Sequence, residues 1–507
     1  MKDQWRYFPF AFILALVSCA HSPVFIQSNP STTPSKQVSQ TIGDAWKDYS
    51  IYGSGLVSSE QSDLTSMQNA SIYHINISIA DDRLSLTGDE EIRYTNQEDQ
   101  ALNEVYFQLF PNMEGGSSTI TTALVDGEIV TLQYEQNQTT VKISLPTPLE
   151  PGKSIIIHLG FKVYLPQDAG GNYGLFGYID NILVLDGFYP AIPVFDDKGW
   201  HKGQIPPNSD TTFQDASFYL VTVTAPEKLV LVTSGVKVDT STKDGKQTAT
   251  FAQGPSRDFY IAASDEFEVV SQNVGETTVN SYALPGLENG SAFALSTAVN
   301  AIKAYNKYIG TYPYTEFDIV STPMRGAYGI EYPGIVGINY SLYESGAQLS
   351  GQSAESFLES TVAHEVGHQW FYNVVGDDQI NEPWLDESMT QYITALYYLD
   401  QYGTAGFNNY KATWYYRWDR VNRLDKAIGL PAGSYEGREY SGIVYGRGPI
   451  FIYELSKTIG DEAFNQFIKD YFLKYKWGIA TTDGFKELAE KECDCDLTDM
   501  FNEWVYQ

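Results

Sequence analysis

Cysteine, histidine and basic residues are all scarce in this chain. Its 507 residues include only 3 cysteines and 6 histidines, and 32 lysines and arginines stand against 63 aspartates and glutamates. So few cysteines cannot build a disulfide-stabilised fold of this length. The formal net charge of −31 at pH 7 argues against binding to nucleic acid, because an acidic surface repels phosphate. No nucleic-acid partner is therefore expected, and we interpret the charge as a source of solubility.

Two of the cysteines lie close together near the C-terminal end. Cys493 and Cys495 are separated by Asp494 alone. A disulfide across one intervening residue is unusual, so free thiols and a tight disulfide loop are both open. No histidine is near them in the sequence, and no metal is assigned to the pair.

The third cysteine follows an N-terminal apolar run, residues 8–17, that is too short to cross a bilayer, which takes ~20 residues. Lys2 and Arg6 precede the run, and Cys19 follows a small residue, as in a bacterial lipoprotein signal peptide. Residues 1–18 are therefore predicted to be cleaved and Cys19 to be lipidated. A plain signal peptide with an incidental cysteine is the alternative. The chain is expected to be an exported cell-envelope lipoprotein, held on a membrane by its lipid and facing away from the cytoplasm.

The rest of the chain changes its pattern along its length. Residues 19–66 begin rich in serine, threonine and proline and are predicted to be a flexible linker. Short alternating runs between turn residues then predict an all-β domain, residues 67–275. Residues 276–507 predict a mostly helical α+β catalytic domain. Two strands are expected at 317–321 and 334–339, and helices at 291–309, 357–370, 383–402, 410–424, 449–459, 461–475 and 482–492.

A histidine motif gives the strongest functional signal. His364, Glu365 and His368 form an H-E-x-x-H, and Glu387 follows nineteen positions after the second histidine. On a helix, residues i and i+4 share a face, so both imidazoles can bind one metal ion. A carboxylate from a second helix completes a three-ligand zinc site with one position open to water. Glu365 is then the general base, and one Zn²⁺ per chain is predicted. The alternative is a solvated helix with ordinary histidines.

These residues and their surroundings resemble the aminopeptidase N-like gluzincins, a family that includes leukotriene hydrolase. The likeness runs from about Tyr73 to the C-terminus, and the segment W-L-D-E-S at 384–388 is similar to the family's W-L-N-E-G, with Asp386 and Ser388 as the differences. The resemblance implies a saddle-like all-β domain followed by a thermolysin-like catalytic domain. Because the chain ends soon after Trp504, it resembles a short member without the helical-repeat domain of larger relatives, with a more open cleft.

Two further segments add expected substrate contacts. Residues 329–336, G-I-E-Y-P-G-I-V, look like the family's G-x-M-E-N segment, although Tyr328 replaces its first glycine and Ile330 its methionine. That resemblance implies that Gly329 and Glu331 bind substrate, with Glu331 at the free α-amine. The strand that follows, 334–339, is expected to pair with an extended peptide. Residues 445–448, Y-G-R-G, are similar to the family's Y-x-K-G, which implies that Tyr445 stabilises the oxyanion.

The function predicted from these features is zinc-dependent hydrolysis of peptide substrates, removing residues from a free amino end. Residues 188–200 match the family only loosely, so no second amine-binding side chain is assigned. A zinc endopeptidase or a non-peptide hydrolase that uses the same site is the main alternative. A non-catalytic peptide-binding lipoprotein is the alternative from another class.

Overall fold

The computed structural model describes residues 46, 48–169, 173–203, 206, 213–349 and 351–506. The predicted signal peptide, Cys19 and the first part of the predicted linker lie outside these residues. Among the described residues, no helix combines the length and the apolar character that a membrane span requires.

Strands make up the region between residues 72 and 264, as predicted. They are β1 Ile72–Ile79, β2 Ser85–Thr95, β3 Leu102–Gln108, β4 Ser117–Val125, β5 Glu128–Ile129, β6 Leu132–Glu135, β7 Thr140–Leu149, β8 Ser154–Tyr164, β9 Phe176–Ile179, β10 Ile182–Leu185, β11 Phe195–Asp196, β12 Gly199–Trp200, β13 Ser217–Pro226, β14 Val230–Thr233, β15 Val236–Lys243, β16 Lys246–Ser256 and β17 Ile261–Ser264.

These strands form one large sheet and three smaller ones. The large sheet has the order β15-β16-β13-β1-β2-β8-β4-β5, and the others are β14-β17-β10-β9, β3-β7-β6 and β11-β12. All pairs in the large sheet are antiparallel except β1 with β13. Strand β8 shows the reason for the layers, because its side chains alternate between buried and more exposed. Its buried face joins an apolar core that includes Ile157, Leu159 and Phe161.

Within the part of the chain that the structure describes, the second half supplies the remaining strands and all the long helices. The strands are β18 Glu268–Val274, β19 Thr277–Ala283, β20 Glu316–Thr322, β21 Gly329–Tyr332, β22 Ile335–Asn339, β23 Gln348–Leu349 and β24 Gln352–Ser353. The helices are α1 Ser50–Gly53 and α2 Asp63–Ser66 before the β region, then α3 Glu288–Tyr308, α4 Ala354–Gly367, α5 Trp384–Asp419, α6 Glu439–Gly442, α7 Gly448–Ile459, α8 Asp461–Lys474, α9 Thr482–Cys493 and α10 Thr498–Trp504.

The predicted helices are present with shifted ends. Helix α4 starts at Ala354, three residues before the predicted 357. The Ser353 side chain caps this start by accepting a hydrogen bond from the Ser356 amide, and the helix ends at Gly367. Helix α5 joins two predicted helices across Gly403, whose φ of 66° interrupts the helical backbone. At the end of α9, Cys493 and Cys495 form a disulfide, which decides between the two alternatives left open by the sequence.

The second half of the chain contains a five-stranded sheet in the order β18-β19-β20-β22-β21. This order corrects one expectation. Strand β22, the segment expected to pair with a peptide, lies between β20 and β21 and has both edges occupied. Strand β21 is the edge strand instead, so the open backbone edge belongs to the strand that contains Gly329 and Glu331.

Two predicted domain limits are wrong in detail. The boundary at 275 falls inside the β18–β19 hairpin, whose strands both belong to the catalytic sheet. The flexible linker was extended too far, because Tyr52 and Leu56 are buried. In addition, Asp63 accepts a hydrogen bond from the Trp477 indole at 2.7 Å. Apolar residues of this segment pack into a core built by residues that are distant in the sequence, and the local composition gives no sign of such packing.

Arg257 joins the β region to the helical half. Its buried guanidinium donates hydrogen bonds to the carbonyl oxygens of Gln214, Asn373 and Gly478. Asn373 follows the zinc-motif helix by only a few residues. The loop after α4 is therefore fixed to both halves of the molecule by one side chain.

Glu90 is a buried carboxyl group without a matched partner. It lies in β2 between Ile75 and Leu159 of the neighbouring strands, its side chain is fully buried, and neither carboxyl oxygen has a hydrogen-bond partner among the described residues. Burial, assisted by Asp89, raises the pKa of Glu90 well above its usual value. The pKa of Glu90 is higher in the folded than in the unfolded chain. The free energy of unfolding is therefore highest at low pH, where Glu90 is protonated in both states, and it falls as the pH rises above ~4.

We expect Glu90→Met to stabilise the fold at pH 8 by about 1–3 kcal/mol, because it removes an unsatisfied buried polar group. Glu90→Gln keeps the shape and removes only the titration, so its advantage over the wild type should be larger at pH 8 than at pH 5. Thermal unfolding of the three proteins at both pH values measures this. A Glu90→Gln advantage that does not change with pH would contradict the assignment.

Candidate active site

Two helices and one edge strand bring the predicted site residues together. His364 and Glu365 lie in the last turns of α4, and His368 caps its C-terminal end. Glu387 lies in the first turn of α5. All four side chains are buried, with exposed fractions of 7% or less. The helical spacing thus places the histidines on one face, as the sequence predicted.

The three predicted ligands converge on one point. His364 Nε2 lies 3.1 Å from Glu387 Oε2 and 3.2 Å from His368 Nε2. His368 Nε2 lies 3.6 Å from the same carboxylate oxygen. One donor atom from each residue falls within 4.8 Å of the others. Two imidazole nitrogens and one carboxylate oxygen at this spacing fit a zinc ion, whose bonds to such atoms measure ~2.0–2.2 Å.

The outer ring atoms of the histidines are also engaged. His368 Nδ1 lies 3.1 Å from the Phe371 carbonyl oxygen, which fixes the ring so that Nε2 faces the metal position. His364 Nδ1 contacts the Gln391 side-chain amide at 3.3 Å, and Gln391 Oε1 accepts a hydrogen bond from Tyr410. These contacts orient both rings toward Glu387.

The protonation states suit a site that binds a cation. Burial lowers the pKa of His364 to about 4, so its imidazole is neutral at neutral pH. Burial alone would raise the pKa of Glu387, but hydrogen bonds from His364 and His368 hold it far below its usual value. Burial alone would lower the pKa of His368, but the carboxylates of Glu331 and Glu387 raise it.

Glu365 lies between the metal position and strand β21. A side chain at Gly329 would collide with the Glu365 carboxyl group, so the glycine is required for this close approach. Burial raises the pKa of Glu365 well above its usual value, against the attraction of His368. A carboxylate with a raised pKa beside a metal is suited to accept and return a proton.

Glu331 lies beside His368 and is held in place by hydrogen bonds from its neighbours. One of its carboxylate oxygens, one from Asp386 and one His368 ring nitrogen fall within 4.8 Å of one another. The Gln379 side-chain amide donates to Glu331 Oε1 at 2.9 Å and to Asp386 Oδ2 at 2.8 Å. Asp386 Oδ1 in turn accepts the Glu387 amide at 2.7 Å. A hydrogen-bonded chain therefore connects Glu331 to the backbone of a metal ligand.

Tyr445 reaches the metal position from a third direction. It lies in a π-helical turn, Ile443–Arg447, and its hydroxyl donates to Glu387 Oε1. Ser388, one of the differences from the family pattern, donates to the Val444 carbonyl at 2.8 Å and so fixes this turn. Arg447 is buried and donates to carbonyl oxygens of Lys426, Glu503 and Trp504. Its charge holds the C-terminal segment and does not face the cleft.

Gln369 is a further residue that the sequence did not reveal. Its side-chain amide donates to the Tyr332 carbonyl at 2.9 Å, and its oxygen accepts the Gly334 amide at 2.9 Å. The turn between β21 and β22 is thereby fixed to the end of α4. Its position directly after the second histidine of H-E-x-x-H was the one sequence feature that could have indicated this contact. Gln379 lies in a loop and offered no pattern.

Comparison with known proteins finds one family with a similar domain. Residues 293–504 match the peptidase family M1 domain. Aminopeptidase 2 of Candida albicans is 21% identical over 76% of this chain and 42% of its own length. Aminopeptidase M1-B of Oryza sativa subsp. japonica is 24% identical over 57% of this chain and 34% of its own. The chain thus spans well under half the length of these relatives.

A solved structure shows the same fold over most of the chain. The M1 zinc metallopeptidase from Deinococcus radiodurans superposes with a TM-score of 0.66 and 18% identity, over 87% of this chain and 94% of the other. A β region followed by a mostly helical catalytic domain is therefore confirmed as the architecture. Residues 293–504 are thus similar to the peptidase family M1 domain, in agreement with the predicted resemblance to the aminopeptidase N-like enzymes.

Proposed function

We propose that this chain is a zinc-dependent aminopeptidase that removes the first residue from peptides with a free amino end. The observation that carries the proposal is the position of Glu331, a buried carboxylate next to His368 of the zinc site. A carboxylate at that distance can pair with a protonated amine while the first peptide bond lies at the metal. An endopeptidase site has no need of such a group.

The residues of the chain divide the hydrolysis among them. His364, His368 and Glu387 would hold zinc, which supplies a Lewis acid for the carbonyl group and lowers the pKa of water. Glu365 accepts the proton of the attacking water and delivers it to the leaving amine nitrogen. The Tyr445 hydroxyl donates a hydrogen bond to the carbonyl oxygen as negative charge develops there.

The substrate backbone has a surface to follow. Strand β21 is the edge of its sheet and carries Gly329 and Glu331. An extended peptide that adds to this edge would place its amino end at Glu331. Among similar structures, a mutant of the Deinococcus radiodurans enzyme is described as bound to a Tyr-Ser-Ala substrate, with a TM-score of 0.65. A short free peptide is the corresponding substrate class proposed here.

Replacing the general base tests the chemistry. Glu365→Gln should retain zinc, because Glu365 is not a ligand, and should lose at least ~100-fold in kcat, the usual scale for a general base. Zinc content by metal analysis and steady-state kinetics on an aminoacyl amide measure both. Glu355→Gln, an exposed carboxylate in the first turn of the same helix, is the matched control. Near-normal turnover in Glu365→Gln would remove this residue from the base role.

Blocking the substrate amine tests the role of Glu331. The wild type should release the first residue from a free peptide and not from its N-acetylated form, because acetylation removes the positive charge that pairs with Glu331. Glu331→Gln should raise KM for the free peptide by about tenfold or more, the loss of one charge-assisted contact of ~1.5–3 kcal/mol. Internally quenched blocked peptides are measured in parallel. Their cleavage by the wild type at rates equal to those of free peptides would favour an endopeptidase.

We also propose that the chain is an exported lipoprotein anchored through Cys19. Lys2 and Arg6 before the apolar run, and the small residue before Cys19, support this proposal. The lipid would hold the catalytic region at a membrane surface outside the cytoplasm, where peptides with free amino ends are accessible.

Cys19→Ala tests the anchor directly. In a bacterial host that processes lipoproteins, the wild type should sediment with membranes and incorporate labelled palmitate, whereas Cys19→Ala should do neither, because the acylated thiol is lost. Fractionation and radiolabelling give the two readouts. A wild type that is exported, stays out of the membrane fraction and carries no palmitate label would indicate a plain cleaved signal peptide.

A further inference from the structure

Tyr328 is a large aromatic side chain exposed beside the site. It is 43% exposed, and its ring lies 5.4 Å from the ring of Phe357, which is half-buried. The next residue, Gly329, approaches Glu365 so closely that no side chain fits. Tyr328 is therefore the direct chain neighbour of the residue that contacts the general base, and Phe357 lies about two helical turns before that base. Neither residue has a part in the proposed hydrolysis.

The pair lies at a defined end of the cleft. From Glu331 in β21 back to Tyr328, just before the strand, the neighbours along α4 and its C-terminal cap change from His368 to Glu365 and then to Phe357. The segment 328–331 and the helix therefore run side by side over these three contacts. A peptide with its amine at Glu331 and its first bond near Glu365 must continue toward the aromatic pair.

Helix geometry agrees with this order. Phe357 precedes His364 by seven positions, or about two helical turns. It therefore lies on the same face of α4, ~10 Å away along the helix axis. An extended peptide covers that length in about three residues. The side chains of the first two residues beyond the cleaved bond therefore come within reach of the two rings.

The backbone that presents Tyr328 is held firmly. Asn339 donates its side-chain amide to the carbonyl oxygens of Met324 at 3.2 Å and Ala327 at 3.1 Å, and its backbone amide to the carbonyl oxygen of Tyr328 at 2.9 Å. An exposed ring on a fixed backbone costs little conformational entropy when a ligand packs on it.

We propose that Tyr328 and Phe357 form a subsite that selects apolar and aromatic side chains in the first two residues after the cleaved bond. This inference rests on the proposed aminopeptidase function and adds a substrate preference to it. An aromatic side chain that packs on the pair gains apolar contact and favourable ring geometry. The subsite binds the leaving part of the peptide and so acts separately from recognition of the first residue.

A tripeptide series tests the subsite in the zinc-loaded full chain. The substrates are Ala-Gly-Gly, Ala-Phe-Gly and Ala-Gly-Phe, with alanine amide as a substrate that has no residue after the cleaved bond. The wild type should favour at least one phenylalanine peptide over Ala-Gly-Gly by about fivefold to tenfold in kcat/KM, as expected for one aromatic contact. In Tyr328→Ala this ratio should fall to about one, mainly through KM, and Phe357→Leu should lower it.

Two further variants separate the ring from general effects. Tyr328→Phe keeps the ring and should keep the preference. Tyr164→Ala removes another exposed tyrosine, at the end of β8 in the β region, and should leave the ratio at the wild-type value. The ratio is an internal comparison within each protein, so a variant with reduced total activity still gives a result.

The outcomes are distinct. A wild type without the preference, or a Tyr328→Ala protein that keeps it unchanged, overturns the subsite while aminopeptidase activity stands. A zinc-loaded wild type that cleaves neither alanine amide nor the tripeptides overturns the proposed function and the subsite together.

Discussion

The two hydrogen bonds made by the Gln369 side chain hold together the parts on which the site depends. One part is α4 with its histidines, and the other is the edge strand with Glu331. Neither part contains the whole site, because the candidate metal ligands lie on helices and their ends, and Glu331, the proposed partner of the substrate amine, lies on a sheet. An amide that both donates and accepts fixes their separation and their relative rotation. It sets the distance between the proposed amine position and the metal, and with it the number of residues that precede the cleaved bond.

A second layer of contacts fixes what Gln369 brings together. Gln379 connects Glu331 to Asp386, and Asp386 accepts the backbone amide of Glu387. Arg257 fixes the loop after α4 to the β region. Groups that act on one small region of a substrate need positions accurate to a fraction of an ångström. Buried and fully directed hydrogen bonds provide that accuracy better than packing alone.

Local patterns were enough to predict the helices, the β region and the convergence of His364, His368 and Glu387. His364 and His368 are four residues apart in one helix, so their common face follows from helical geometry alone. The roles of Glu331 and Tyr445 came from resemblance, since a single carboxylate or phenol carries no pattern of its own. The edge position of β21 was missed because strand order depends on pairing between distant segments. The linker was extended too far because Tyr52 and Leu56 are buried by residues far along the chain.

The carboxylates around the metal position lower the stability of the folded chain when no cation is bound. Glu331, Glu365, Asp386 and Glu387 are all buried within one small volume, where mutual repulsion is weakly screened. A divalent cation offsets this repulsion only in the folded state, because the ligands are far apart in the unfolded chain. Free energy of folding and metal concentration are therefore linked, and the same cluster that prepares the site for catalysis makes the lifetime of the protein depend on the supply of zinc.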